Sequence, residues 1–282
     1  MRLPDWLRRK HSLSGLHAMK SRLRGHRLHT VCEEARCPNK AECFSRPTAA
    51  FLILGSMCTR NCSFCSVGQA EGALPGPDPD EPLRVAMAAK EMGLKYVVVT
   101  SVTRDDLTDG GAGIFADTVK AIRDEIQDAK VEVLVPDFRG DSSSVGTVVS
   151  SQPDVFNHNI ETVPSLYTMV RPQADYGRSL RVLSEARRMS QGIRIKSGMM
   201  LGLGEKMDEV IETLWDLREA GCDFVTIGQY MRPSAVNIPV HKYIEPVIFD
   251  KLKKKALEMG FASVSSAPLV RSSMNAEELY FK

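Results

Sequence analysis

No stretch of the 282-residue chain approaches the roughly 18 consecutive apolar residues that a membrane-spanning helix requires, so nothing in it reads as a membrane span. Net charge is almost absent as well. The 37 Lys and Arg are matched by 35 Asp and Glu, leaving +2, which gives no general basis for binding nucleic acid or an anionic membrane surface. The basic opening MRLPDWLRRKHSLSGLHAMKSRLRGHRLHT lacks the apolar core of a secretory signal, and Pro4 and Asp5 argue against a transit peptide, so the expected compartment is the cytoplasm. Internal repeats and low-complexity tracts are missing too. A composition of 43% apolar and 26% charged residues excludes disorder and collagen-like architectures, and the length fits one barrel-sized domain.

Cysteine is scarce along most of the chain, with Cys222 alone after residue 65. The other six, Cys32, Cys37, Cys43, Cys58, Cys62 and Cys65, are crowded into a short N-terminal stretch. An odd total and close spacing, without an export signal, point to metal or cluster ligation rather than to a disulfide framework.

From about residue 50, short β-branched runs alternate with helical patterns, the signature of consecutive βα units and a parallel sheet. The predicted strands are Phe51–Leu54, Tyr96–Ser101, Val131–Val135, Val155–Asn159, Ile193–Met199 and Phe224–Gln229. Helical spacing links Val85, Ala89 and Met92; Phe115, Val119, Ile122 and Ile126; Val210, Leu214 and Leu217; and Phe249, Leu252, Ala256 and Met259. Gly93 and Gly221 stand where helix C-caps are expected. Six units fall short of the eight that close a TIM barrel, so the expected fold is α/β, a partial (β/α)6 TIM-like barrel. It spans residues 51–260, after an N-terminal extension, 1–50, and before a C-terminal tail, 261–282, with no clear period. The Pro- and Gly-rich run 72–82 reads as a rigid loop.

Cys58, Cys62 and Cys65 form CxxxCxxC directly after the first predicted strand, which puts them in a loop at the C-terminal mouth of a parallel barrel. Three thiolates on a 4Fe-4S cube leave one iron open to a substrate or cofactor. The competing readings are a zinc site, which wants four closed ligands, and a ferredoxin-type carrier, whose spacing differs. Cys32, Cys37 and Cys43 form a second three-thiolate site, CxxxxCxxxxxC, whose fourth ligand must come from elsewhere. Cys222, the remaining thiol, reads as a small buried residue at a helix end.

The first triplet on a partial barrel resembles the radical S-adenosylmethionine enzymes. With the second triplet, the chain resembles the lipoyl synthase family along almost its whole length. The motifs that carry the likeness are PDWLR (4–8), VCEEARCPNKAECF (31–44), LGSMCTRNCSFCSVG (54–68), VVVTSVTRDDLTDGGAGIF (97–115), VPDFRGD (135–141), NHNIETVP (157–164), VRPQADYGRSL (170–180), KSGMMLGLGE (196–205) and TIGQYMRPS (226–234). The resemblance implies two 4Fe-4S clusters and S-adenosyl-L-methionine, with Cys58, Cys62 and Cys65 holding the cofactor-binding cluster. It implies a transferase of lipoate biosynthesis that inserts sulfur at C6 and C8 of an octanoyl chain on a carrier lysine, with the auxiliary cluster as sulfur donor. It further implies octanoylated lipoyl carrier domains as partners, namely the E2 subunits of 2-oxoacid dehydrogenases and the H protein of glycine cleavage. A flavodoxin or ferredoxin electron donor and an iron-sulfur carrier protein complete the implied set. In the family a C-terminal RSSY motif supplies a serine to the auxiliary cluster; here RSSM (271–274) keeps Ser273 and replaces the aromatic residue with Met274. Other sulfur-inserting radical enzymes, a methylthiotransferase or a biotin-synthase-like protein, are the alternative, and the second spacing and the RSS tail argue against both.

Polar groups at the strand ends are candidates for holding the cofactor. Ser101 and Thr103 close the second predicted strand. Asn157 and Asn159 share a face at the end of the fourth, with Glu161 beyond, and ordinary turn chemistry is the competing reading. Lys196 and Arg194 share a face of the fifth, where either is a charge partner for the cofactor carboxylate. The run Gly202, Gly204 and Glu205 is expected to let backbone pass close to adenine or ribose. Arg104, Asp105 and Asp106 read equally as a site or a solvated charge run, and His26 and His29 as surface polar residues.

Overall fold

Continuous apolar runs are hidden most fully in a parallel sheet covered on both faces, and each of the six predicted runs becomes such a strand. The computed structural model describes residues 2–8, 16–45 and 50–281, so positions 9–15 of the basic opening lie outside the described residues. Its strands are β1 (His29–Thr30), β2 (Ala50–Ile53), β3 (Met57–Cys58), β4 (Gly68–Gln69), β5 (Tyr96–Ser101), β6 (Lys130–Leu134), β7 (Val155–Asn157), β8 (Arg194–Leu201), β9 (Phe224–Gln229) and β10 (Ser263–Ser266). The main sheet runs β1-β2-β5-β6-β7-β8-β9-β10. β1 is antiparallel to β2, and every other neighbouring pair in it is parallel. The sheet does not close on itself, as a partial barrel requires. Its parallel strands exceed the expected six by one: β10 lies beyond residue 260, where the tail was expected to begin. The sequence Ser-Val-Ser-Ser offers one apolar residue to a pattern search, and β10 is held by its parallel register with β9 from Ser263↔Phe224 to Ser266↔Ile227.

The helical patterns pack as their spacing requires. Val85 and Ala89 in helix Glu81–Glu91, Phe115, Val119 and Ile122 in Ala112–Glu125, Val210, Leu214 and Leu217 in Met207–Glu219, and Phe249, Leu252 and Ala256 in Pro246–Glu258 are all buried. Gly221 follows the third of these at φ +90°, and a Cβ there would lie 2.7 Å from Arg187 Cγ, so both conformation and space call for glycine. Two further helices are fixed at their starts by carboxylates. Asp141 accepts from the Ser144 N–H at 2.8 Å ahead of Ser142–Ser150, and Asp175 from the Arg178 N–H at 2.6 Å ahead of Tyr176–Met189.

Past β10 the chain turns into the barrel. A Cβ on Gly228 of β9 would come within 2.2 Å of the Val270 carbonyl oxygen, so the tail backbone crosses the strand where only glycine leaves room. Ser272 then meets β7 and β8: its Oγ accepts from Asn157 Nδ2 at 2.9 Å and its carbonyl from Lys196 Nζ at 2.8 Å. The short helix Ala276–Tyr280 reaches the opposite end, where Ala276 and Leu279 pack with Ala50, Tyr96, Val98, Val155 and Phe224. Four of those five are the first residues of their strands. The tail therefore descends the lumen from the mouth to the base, burying its apolar side chains there. Leu279→Ala is expected to cost roughly 2–4 kcal/mol, the range for emptying a buried leucine site, measured as the urea unfolding midpoint of the metal-free protein; a change under about 0.5 kcal/mol, typical of a surface position, would contradict this packing.

Candidate active site

Strand β2 ends in two left-handed residues, Leu54 (φ +66°) and Gly55 (φ +86°), which turn the chain toward the mouth. A left-handed non-glycine residue is costly by about 1 kcal/mol, and here a buried carboxylate offsets it: Glu81 accepts from the Leu54 N–H at 2.7 Å. The cysteine loop that follows is clamped at its ends by the β3–β4 ladder, Met57↔Gly68 and Cys58↔Gln69. Within it, the Thr59 N–H donates to the Thr103 carbonyl at 3.0 Å, Ser63 N–H to Val170 at 3.0 Å, and Asn237 Nδ2 to the Cys65 carbonyl at 2.7 Å. The Thr103 N–H and the Arg60 N–H each point at Cys58 Sγ, both at 3.4 Å.

Arg60, between Cys58 and Cys62, is the main anchor. Its guanidinium makes two bidentate forks, to Asp105 at 2.7 and 2.9 Å and to Asp137 at 2.6 and 3.0 Å. Asp137 is fully buried and takes a further bond from Arg178 Nε at 2.9 Å. Burial opposes ionisation of Asp137, yet the hydrogen bonds and charge of Arg60 hold its carboxyl well below the usual range. Burial likewise opposes the Arg60 charge, and the two carboxylates outweigh it. Breaking such a buried pair costs about 3–5 kcal/mol. Asp105 is thus part of this anchor, and Arg104 is buried against Asp106 and the Pro75 carbonyl, so of the run only Asp106 is exposed.

The loop opens on a cavity of about 340 Å³ at the barrel mouth. All three loop thiols line it, and so do Cys32, Cys37 and, from the tail, Arg271, Ser272 and Ser273. Cys43 does not line the cavity but stands near enough for its charge to raise the Cys32 thiol. All seven cysteines are free. Burial above all, with the Cys62 and Cys58 charges adding to it, pushes the Cys65 thiol up to about 12; burial also raises Cys62, with Cys58 adding to it. Burial and the charge of Cys37 push Cys32 up to about 12. Burial thus disfavours bare thiolates at Cys32, Cys62 and Cys65, whereas a bound metal deprotonates its thiols outright. Among the described residues no three such groups converge tightly enough for a single ion; an iron-sulfur cube is larger and takes its thiolates further apart. The donor chemistry of both triplets therefore fits a cluster.

Other predicted residues divide by depth. Ser101, Thr103 and Asn159 line the cavity, and Ser101 Oγ is buried with no partner among the described residues. Asn157 lies beneath, bonded to Glu132 and Ser272. Lys196 does not line the cavity: its ammonium is fully buried against both Glu132 oxygens, at 2.8 and 2.9 Å, and against the Ser272 carbonyl. It pairs in register with Asn157, two residues before Gly198 of the cavity wall. Arg194, at the base end, faces Asp223. Glu205 takes the N–H groups of Gly202, Leu203 and Gly204 at 2.6, 2.9 and 3.1 Å and so caps its own turn. Gly202 makes room for Gln229 and Lys242 rather than for a ligand. His26 and His29 pair with Glu91 and Glu34 at the surface. Cys222 is buried at the base end of β9, its thiol raised first by burial.

The structure adds residues that spacing did not single out. His158 Nδ1 is 2.9 Å from the Val135 carbonyl, an acceptor only, so Nδ1 carries the proton and Nε2 keeps a lone pair with no partner among the described residues, on the cavity wall. Arg171 donates to the Asn159 carbonyl at 3.0 Å, while its Nε is unpaired among the described residues and its charge lowers the Cys62 thiol. Arg271 stands near Cys37, whose thiolate charge counters the burial that lowers the guanidinium. Asn39 donates to the Leu269 carbonyl at 2.6 Å and to the Met274 sulfur at 3.1 Å, tying the tail to the N-terminal extension where the RSSY pattern has its aromatic residue.

Comparison with known proteins agrees with this geometry. Residues 52–217 match the radical SAM superfamily and residues 1–37 the N-terminal domain of lipoyl synthase of that family. The lipoyl synthase of Rubrobacter xylanophilus is 53% identical over 276 residues, covering 98% of this chain and 85% of the relative. That of Caldicellulosiruptor saccharolyticus is 54% identical over 276 residues, covering 98% and 96%. Among solved structures, methylornithine synthase superposes with a TM-score of 0.56 at 16% identity over 90% of this chain and 82% of its own. Coproporphyrinogen III oxidase from Escherichia coli, a radical SAM enzyme, gives 0.52 at 12% identity over 77% and 55%. These two likenesses establish the fold, and the sequence relatives establish the membership: the chain belongs to the lipoyl synthase family of the radical S-adenosylmethionine superfamily.

Proposed function

We propose that this chain inserts two sulfur atoms, at C6 and C8, into an octanoyl group carried on a protein lysine, and that one cavity serves both halves of the reaction. The observation that carries this reading is that Cys58, Cys62 and Cys65, two cysteines of the second group, Cys32 and Cys37, and the tail serine Ser273 all line one cavity. When bound, a 4Fe-4S cluster with S-adenosyl-L-methionine supplies one-electron chemistry that removes hydrogen from saturated carbon, and a second cluster supplies sulfur. In this reading Cys58, Cys62 and Cys65 hold the first, and Cys32, Cys37 and Cys43 with Ser273 the second. A saturated C–H bond has no acidic proton for a general base, so the chain's own groups are left to bind, orient and exclude water.

Ser101 Oγ, His158 Nε2 and Arg171 Nε, each buried without a partner among the described residues, suit the polar parts of the cofactor. Leu52, Phe64, Val102, Leu134 and Met199 line the same cavity and suit an eight-carbon chain. The wider set of partners is the one that family membership implies: an octanoylated carrier domain of a 2-oxoacid dehydrogenase E2 subunit or glycine cleavage H protein, a flavodoxin or ferredoxin as electron source, and an iron-sulfur carrier to rebuild a consumed cluster. Among the described residues no helix is long and apolar enough to cross a membrane; a cytoplasmic setting is part of the proposal. So is the division into an extension (1–50), a barrel (51–260, continued by β10) and a tail.

Replacing Cys58, Cys62 or Cys65 by Ala is expected to abolish 5′-deoxyadenosine formation while iron remains on the other triplet. Replacing Cys32, Cys37 or Cys43 is expected to spare that cleavage and to abolish thiolated product from an octanoyl-lysine peptide, read by mass spectrometry. Dithiolated peptide from the latter variants would overturn the donor assignment.

The fourth ligand is tested in parallel. Ser273→Ala is expected to suppress sulfur insertion, whereas Cys222→Ala keeps both clusters and most activity. The reverse pattern would reject Ser273.

His158 gives a test that needs no cluster. Burial, reinforced by the Arg171 charge, pushes its pKa down to about 4. The unfolded chain titrates near 6.5, so between those values it binds a proton that the folded chain refuses, and stability falls as pH drops through that window, by up to roughly 3 kcal/mol. His158→Gln is expected to flatten the pH 6.5–4 limb of the unfolding free energy of the metal-free protein; an unchanged limb would show that the imidazole protonates in place.

A further inference from the structure

Ser272 and Ser273 are adjacent, yet their surroundings differ. Among the described residues Ser273 makes no hydrogen bond to the lumen network, whereas Ser272 is bonded on three sides. Its carbonyl accepts from Lys196 Nζ at 2.8 Å, its Oγ accepts from Asn157 Nδ2 at 2.9 Å, and the same Oγ donates to Asn159 Oδ1 at 3.0 Å. Beneath it lies a buried ion pair, with Lys196 0% and Glu132 1% exposed at the side chain. Glu132 also accepts from the Tyr96 hydroxyl and from Asn157 Nδ2, each at 2.8 Å.

The valences close only with the tail in place. An ammonium has three N–H donors, and here they meet the two Glu132 oxygens and the Ser272 carbonyl. Withdrawing the tail leaves a donor of a fully buried charge unmatched and strips one of the two acceptors from the Asn157 amide. Buried polar groups left in that state are strongly disfavoured. The pair therefore selects one seat for the tail, a role that suits a buried ion pair better than raw stabilisation does.

We propose that Lys196, Glu132 and Asn157 are positioning residues that latch Ser272 at the barrel axis and thereby present Ser273 to the N-terminal cysteines. The functional consequence rests on the reading of Ser273 as a cluster ligand; the latch itself is a property of the metal-free chain. Amide hydrogen exchange of the metal-free protein tests it. The double variant Lys196→Met, Glu132→Gln removes both charges together, and is expected to speed exchange of residues 272–281 at least tenfold while β5 and β9 keep the parent rates. Ser272→Ala deletes the two hydroxyl bonds and retains the carbonyl bond, so about a threefold increase is expected; this variant leaves the ion pair intact and carries the test should the double variant not fold. Parent rates in the tail of a folded variant would overturn the latch.

A second measurement separates the latch from the ligand reading. In a background lacking Cys58, Cys62 and Cys65, iron bound after reconstitution is expected to fall at least fivefold in the double variant. A loosened tail with undiminished iron would uphold the latch and overturn Ser273 as the ligand.

Discussion

A parallel sheet that stops short of closing has an inner face with nothing opposite, and the rest of this molecule depends on how that face is covered. The lumen is not filled by barrel side chains alone. Val270 to Tyr280 of the tail enter it, and the contents change with depth from polar at Ser272 to apolar at Ala276 and Leu279. Burying Lys196 and Glu132 is expensive in isolation, and it is tolerated because the ammonium's three donors are matched and Glu132 is held by hydrogen bonds as well as charge. The same descent leaves Ser273 at the mouth, so the element that completes the core also completes the cavity wall.

The mouth is governed by the opposite electrostatic problem. Thiols brought together under burial resist ionisation, and each thiolate makes the next harder to form. Cationic groups temper this without neutralising it: Arg171 lowers Cys62, and Arg60, committed to Asp105 and Asp137, contributes less. The rigid hold on the loop matters for that reason. With its backbone fixed by Thr103, Val170 and Asn237, the loop cannot relieve the crowding by swinging its thiols into solvent.

The strands that were most legible, Tyr96–Ser101 and Phe224–Gln229, match their predicted limits because each is an uninterrupted run with a helix pattern on either side. β10 escaped for the opposite reason, being mostly serine. Period-two reasoning put Asn157 and Asn159 on one face, and both do reach Ser272 Oγ, yet alternation gives a face and not a depth. That is why Lys196 and Arg194 read as mouth residues while one is sealed in the lumen and the other lies at the base. The partners of Lys196 come from Glu132 and Ser272, 64 and 76 residues away along the chain, a closeness that no local pattern encodes. His158 did carry a signal, a histidine between two inward-facing asparagines, but its orphaned lone pair is a fact of three dimensions.

The placement of the tail also sets an order of assembly. Ser273 follows Cys43 by 230 residues, an interval of roughly 10–45 s at common rates of chain elongation. For that time the N-terminal cysteines are out of the ribosome with their cavity missing a wall and the lumen beneath them unfilled. Insertion of the tail is thus a late event: until it arrives, the cavity lacks the wall that Val270, Arg271, Ser272 and Ser273 supply.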